Sequence, residues 1–160
     1  MAQGPAFCMP LAMQHRSFIA LACLALSLAG CAQTDGINQD GAVYNGIAPD
    51  AEISLIGTEP FWGIDIAPGP KSSGYSAVYA SPENVDGQSF TLVRFAGNNG
   101  LGFSGELDGR PVQIAITPGD CSDAMSDRTY PYTATVKLGD ITLRGCGYSG
   151  DVPFTGPEEP

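Results

Sequence analysis

SFTLVRF, residues 89–95, has the alternation of apolar and polar side chains that is typical of a half-buried β-strand. Phe90, Leu92 and Arg94 fall on one face of the extended chain, because successive side chains point to opposite sides. A second stretch, VQIAIT at residues 112–117, alternates in the same way. Strands with one buried face are typical of antiparallel sheets, so both stretches predict antiparallel strands.

Eight short runs rich in β-branched and aromatic residues recur between residues 52 and 146. They are EISLIG (52–57), FWGIDI (61–66), YSAVYA (75–80), SFTLVRF (89–95), LGFSGEL (101–107), VQIAIT (112–117), YTATVKL (132–138) and ITLRGC (141–146). Asp108-Gly109 and Gly139-Asp140 separate neighbouring runs and favour tight turns. Because closure removes exposed sheet edges, we predict an all-β fold: a small antiparallel β-barrel or rolled sheet of about eight short strands.

The N-terminal region has the organisation of a signal peptide. Residues 17–30 form an uncharged run that follows His15 and Arg16. The run is too short for a transmembrane helix, which needs roughly 20 apolar residues. Met13 would open a signal of the usual length, so we expect translation to begin there.

The sequence LAGC at residues 28–31 resembles the bacterial lipobox. The resemblance implies cleavage before Cys31 and attachment of lipid, palmitate included, to that cysteine; an ordinary signal peptide with an incidental cysteine is the alternative. In bacterial lipoproteins an Asp after the lipidated cysteine tends to retain the protein in the inner membrane, and here the position is Ala32. We therefore expect a lipid anchor in the outer membrane of a Gram-negative bacterium, facing the periplasm.

The chain divides by composition into four parts. Residues 1–30 form the predicted signal peptide, and residues 31–50 form a lipidated N-terminus with a polar, Gly-rich, flexible tether. Residues 51–148 contain the strand pattern and are expected to fold as one β domain. Residues 149–160 form a Pro-rich tail that covers a sheet edge or stays loose.

Five cysteines are present, and the number that remains after the predicted cleavage and lipidation indicates one disulfide. Cys8 and Cys23 leave with the signal peptide and Cys31 carries lipid, so only Cys121 and Cys146 remain. In an oxidising compartment two cysteines imply one bridge. A two-thiol metal or redox site is disfavoured, because the spacing is unlike C-x-x-C and no His remains after cleavage.

The predicted mature chain is strongly acidic. All 17 Asp and Glu residues follow Cys31, against six Lys or Arg, which gives this part a net charge of −11. Such a charge repels nucleic acid and anionic lipid headgroups and attracts basic partners. A high net charge also keeps a protein soluble whatever its function, so charge alone identifies no ligand.

Residue types narrow the possible chemistry. Without His, a Ser-His-Asp triad, a Cys-His dyad and an imidazole zinc site are excluded from the predicted mature chain. Two-carboxylate glycosidase chemistry needs only acids, and Glu59, Asp65, Glu106 and Asp108 are available, although 17 acids make accidental pairs common. We therefore expect no enzymatic activity, cofactor or metal, and retain a glycan-acting enzyme as an alternative.

Two segments are candidates for contact with a partner. The segment GTEPFW (57–62) contains the only Trp, which either packs in the core or stands exposed as a binding platform. The polar stretch 120–130 is the second: it forms local caps, a rigid contact loop or, less well, a calcium site of Asp120, Asp123 and Asp127 whose spacing does not match an EF-hand. The candidate contact residues are Trp62, Glu59, Asp123, Met125, Asp127 and Arg128.

The motifs GTEPFW (57–62) and CSDAMSDRTYPY (121–132), followed by Gly145-Cys146, resemble a family of uncharacterised bacterial lipoproteins. Members of that family typically have Gly where this chain has Ala124, which raises the question of whether the local turn is altered. The resemblance implies a membrane-anchored periplasmic β domain and supplies no catalytic residues. In general plan the chain also resembles the membrane-bound inhibitors of c-type lysozyme and, more loosely, the META-domain lipoproteins.

These observations favour a non-enzymatic envelope lipoprotein. We expect it to be held in the membrane by lipid on Cys31 and either to bind another macromolecule of the periplasm or to support the envelope. Inhibition of a basic lysozyme is the more specific alternative, because a rigid acidic domain attracts a basic protein. Nucleic acid is not an expected partner.

Overall fold

The computed structural model describes residues 41–69, 74–97 and 100–157. These residues contain eight strands: β1 (Ile53–Thr58), β2 (Phe61–Pro68), β3 (Tyr75–Ser81), β4 (Asn84–Ala96), β5 (Leu101–Leu107), β6 (Arg110–Cys121), β7 (Tyr130–Leu138) and β8 (Ile141–Ser149). Each predicted run coincides with one of these strands to within one residue at its ends or lies inside it, so the all-β prediction is confirmed. The predicted signal peptide, Cys31 and the tether up to residue 40 lie outside the described residues.

The strands form a closed barrel. Each strand pairs antiparallel with the next, and β8 returns to pair with β1 through residues such as Ile56 and Cys146. At the β5–β6 turn Asp108 and Gly109 both have positive φ, the conformation that a two-residue hairpin turn requires. The prediction of a small barrel is therefore confirmed.

Side chains that alternate along each strand fill the barrel interior. On β4, Phe90, Leu92 and Arg94 are buried, whereas Val93 and Phe95 on the other face are exposed. Inward residues from all eight strands join a single hydrophobic core. Across the described ranges, no helix is long and apolar enough to cross a membrane.

Residues 41–50, which we call the plug, close the barrel end where β1 begins and β8 ends. Ile47 is completely buried in the core, and Tyr44 is nearly so. Tyr132 Oη donates a hydrogen bond to Asn45 O at 2.7 Å. The expectation of a flexible tether over residues 31–50 therefore needs correction for residues 41–50, because their buried side chains belong to the core.

Candidate functional site

The segment 121–129, which we call the disulfide loop, leaves the end of β6 and is attached to the outer face of the barrel. The predicted bridge between Cys121 and Cys146 is confirmed, with an S–S distance of 2.03 Å and a Cα–Cα distance of 5.6 Å. Thr58 Oγ1 donates a hydrogen bond to Asp123 O at 3.0 Å and so ties the loop to β1. The loop is thus attached both to β8 and to β1.

Asp123 organises the interior of the disulfide loop. Its Oδ1 accepts hydrogen bonds from the amides of Met125 (3.0 Å) and Ser126 (2.8 Å). Its Oδ2 accepts hydrogen bonds from Ser126 Oγ (2.7 Å) and Tyr130 Oη (3.2 Å). Burial alone would raise the pKa of Asp123, but these four hydrogen bonds favour the carboxylate and lower the pKa to about 2. The charged carboxylate of Asp123 therefore stabilises the folded conformation of the loop.

Ala124 lies at the turn of the same loop. Its φ is 60°, in the left-handed region, and its amide donates to Ser122 Oγ at 3.1 Å. A left-handed residue with a Cβ costs roughly 1–2 kcal/mol relative to the right-handed conformation. The turn therefore has the left-handed conformation with Ala at this position.

The C-terminal tail packs against the disulfide loop. Thr129 and Thr155 exchange two backbone hydrogen bonds of 2.9 Å each, and Arg128 Nε donates to Pro157 O at 2.8 Å. The guanidinium of Arg128 also lies 4.6 Å from the ring centroid of Phe154. The tail, up to residue 157, therefore restrains the loop.

Exposure divides the six candidate contact residues into two groups. Met125 is 67% exposed, and Glu59 and Asp127 are exposed as well, so these three are available to a partner. The other three make internal contacts, as the hydrogen bonds of Asp123 and Arg128 and the burial of Trp62 indicate.

Trp62 belongs to the core, with 4% of its surface exposed. A Cβ added to Gly57 would overlap the indole Nε1, and one added to Gly145 would lie 2.9 Å from the indole Cζ2. The ring therefore packs against positions on β1 and β8 that have no side chain. We call Gly57, Trp62 and Gly145 the tryptophan seat. Of the two interpretations that the sequence left open for Trp62, this burial agrees with the core one and not with an exposed platform.

Phe61, the neighbour of Trp62, is an exposed aromatic residue that was not among the six candidates. It is 53% exposed, on the outer face of β2. A signal was present in FWGIDI, because Phe61 shares its alternating face with the charged Asp65, whereas Trp62 shares the other face with Ile64. Alternation therefore predicts that Trp62 points inward and Phe61 outward.

Three of the four acidic residues considered for chemistry are placed by their surroundings. Asp65 accepts a hydrogen bond from Ser54 Oγ on the outer face, and Asp108 accepts one from Gln88 Nε2. Glu59 lies beside the disulfide loop. Within residues 41–69, 74–97 and 100–157, no group of three or more His, Cys, Asp or Glu is placed to hold a metal ion.

No family model, curated protein or solved structure matches this chain. The candidate site is a restrained loop with an exposed Met125, beside the exposed Glu59 of the β1–β2 turn.

Proposed function

We propose that this protein is a non-enzymatic envelope lipoprotein that binds a macromolecular partner through the disulfide loop. Cys31 carries the lipid, and the barrel presents the loop to the periplasm from the outer membrane. The resemblance of LAGC to the lipobox and the presence of Ala32 support this location.

The observation that carries the proposal is the combination of restraint and exposure in the disulfide loop. The loop is held by the disulfide, by Asp123 and by the tail, while Met125 points into solvent with 67% of its surface exposed. A restrained loop loses little conformational freedom when it binds, which increases affinity for a given contact area. Methionine adapts its shape to varied apolar surfaces, so Met125 is suited to the centre of a contact.

Site-specific photocrosslinking in living cells tests this proposal. A photoreactive amino acid at Met125 should give a discrete crosslinked species, since that side chain would lie in the interface. The matched control is Ile141, which is also an exposed apolar residue, 54% accessible, but lies in β8 outside the loop. Equal crosslinking from both positions, or none from Met125, would contradict the proposed site.

The lipid anchor is tested separately by labelling with a fatty-acid analogue. The intact protein should take up the label and fractionate with outer membranes, whereas Cys31→Ala should lose both properties. A labelled Cys31→Ala variant would show that lipid is attached elsewhere or that the lipobox resemblance is misleading.

Inhibition of a basic lysozyme is the second candidate function. The net charge of −11 after Cys31 and the exposed Glu59 and Asp127 favour a strongly basic protein. A turbidity assay of cell-wall lysis tests it directly: the lysis rate should fall when the protein is equimolar with a c-type lysozyme. Full lysozyme activity under a molar excess of the protein would exclude this candidate.

A further inference from the structure

An apolar groove lies on the outer face of β2 and β3, beside the β1–β2 turn. Its volume is about 400 Å³, within the range of about 300–1,000 Å³ of ligand pockets. We define this Phe61 groove by six of its lining residues: Ile56, Phe61, Gly63, Ala80, Pro82 and Val85.

Small residues in register form the groove. Gly63 on β2 pairs directly with Ala80 on β3, and Gly63 also pairs with Ile56 on β1. Because Gly63 has no side chain and Ala80 has only a methyl group, the sheet surface stays low between the larger neighbours. The depression thus follows from the sequence at these paired positions.

Large apolar side chains line the groove and remain in contact with solvent. Phe61 is 53% exposed and Val85 is 79% exposed. Single exposed apolar residues are common on protein surfaces, but these two line the same depression. Two exposed apolar side chains on one open depression can contact an apolar side chain of a ligand.

The charged residues that flank these apolar side chains in sequence are acids. Glu59 precedes Phe61 by two residues, and Glu83 and Asp86 lie on either side of Val85. Ser81 Oγ donates a hydrogen bond of 2.8 Å to Glu83, which lowers the pKa of that carboxyl and favours its charge. The cation Arg144 lines a different depression, which adjoins the groove through Ile56, Gly57 and Thr58. Through its hydrogen bond to the lining residue Ser81, Glu83 places a carboxylate at the groove, which favours a cationic ligand.

We infer that the Phe61 groove binds one large apolar side chain carried on a cationic segment of a protein partner. The inference rests on the proposed binding function and adds a second contact site to the disulfide loop. The apolar side chain would lie over Gly63 and Ala80 against Phe61 and Val85, while neighbouring Lys or Arg residues of the partner would face Glu59 and Glu83. Buried anchor residues of this kind supply most of the affinity at many protein interfaces.

Three synthetic heptapeptides test the groove on the intact protein in mild detergent. One has a central tryptophan between six lysines, one has serine at the centre, and one has tryptophan between six glutamates. We expect the lysine peptide with tryptophan to shift the amide resonances of Gly63 and Ala80 and to bind at least about tenfold more tightly than either other peptide. Equal binding of the tryptophan and serine peptides, or of the lysine and glutamate peptides, would overturn the inference.

Matched substitutions locate the binding. Val85→Ser should weaken the tryptophan–lysine peptide about threefold or more, whereas Val93→Ser, at another exposed valine of β4, should not. Ala80→Arg should abolish binding by filling the groove with a cation, whereas Ala115→Arg, at an exposed alanine of β6, should leave it unchanged. Equal effects of a groove variant and its control would refute the groove as the site.

The peptide result and the crosslinking result can fail independently. Peptide binding without crosslinking from Met125 would support the groove and contradict the disulfide loop as the contact. Crosslinking from Met125 without preferential binding of the tryptophan–lysine peptide would support the proposed function and overturn the inference about the groove.

Discussion

The tryptophan seat and the plug both complete the core of the barrel, but different interactions hold them. In the seat, the Trp62 ring lies against Gly57 and Gly145. In the plug, backbone carbonyls accept hydrogen bonds from barrel side chains. These are Arg94 Nη2 to Ala42 O, Tyr132 Oη to Asn45 O and Tyr75 Oη to Pro49 O, each 2.7 Å long.

The sequence left the place of Trp62 open and did not reveal the plug, for different physical reasons. The seat requires residues without side chains at two positions, but only the fold brings Gly57 and Gly145 against Trp62. The plug uses carbonyl oxygens, which every residue has, and its few apolar anchors show no periodicity. The seat also leaves the buried Trp62 Nε1 without a hydrogen bond within the described part of the chain. Shape complementarity holds it in place, whereas polar contacts fix the plug.

Gly145→Ala should have the largest effect. The new Cβ would overlap Ile56 O, a backbone atom, and lie 2.9 Å from Trp62 Cζ2, so neither neighbour could move away cheaply. We expect the free energy of unfolding to fall by about 4 kcal/mol or more, at the severe end for a single substitution. Chemical denaturation measures this loss.

Gly102→Ala is the control for that experiment. Gly102 lies in β5, and an added Cβ there would meet its neighbours at 3.6 and 3.7 Å, which are ordinary contact distances. We expect stability to stay the same or to rise by about 0.5 kcal/mol, because alanine restricts the unfolded chain. A loss as large as that of Gly145→Ala would mean that the seat imposes no special requirement.

Ile47→Ala should have the next largest effect. Ile47 is completely buried, so truncation removes core contacts and should cost about 2–5 kcal/mol. Val43→Ala, at an exposed position of the same plug, should change stability by less than about 0.5 kcal/mol. Thermal unfolding of the two variants compares them directly. If both variants melted like the unaltered protein, residues 41–50 would be a tether after all.

The strand pattern was predictable because alternation repeats every two residues and turn residues interrupt it. Those signals found eight strands and the barrel, and cysteine counting found the partners of the disulfide. Two features escaped for physical reasons. The plug has no repeating pattern, and the role of Asp123 depends on hydrogen bonds to Ser126 and Tyr130 that only the folded loop brings together.

Asp123→Asn tests whether the Asp123 carboxylate stabilises the disulfide loop. The substitution replaces a charged acceptor of loop hydrogen bonds with a neutral amide, and we expect a loss of about 1–2 kcal/mol. Amide hydrogen exchange should accelerate at Met125 and Ser126 but not at Ile47 in the plug. Asp127→Asn, at an exposed acid of the same loop, is the control.

The pH dependence of the stability loss caused by Asp123→Asn shows whether the charge of the carboxylate is responsible for it. The pKa of Asp123 is about 2 in the folded protein, below its ordinary value of 3.8. A lowered pKa stabilises the fold fully above about pH 4, and this contribution is lost as the pH falls through 2. The difference in melting temperature between the unaltered protein and Asp123→Asn should therefore shrink between pH 4 and pH 2. A difference that stayed constant over this range would mean that the charge of Asp123 does not hold the loop.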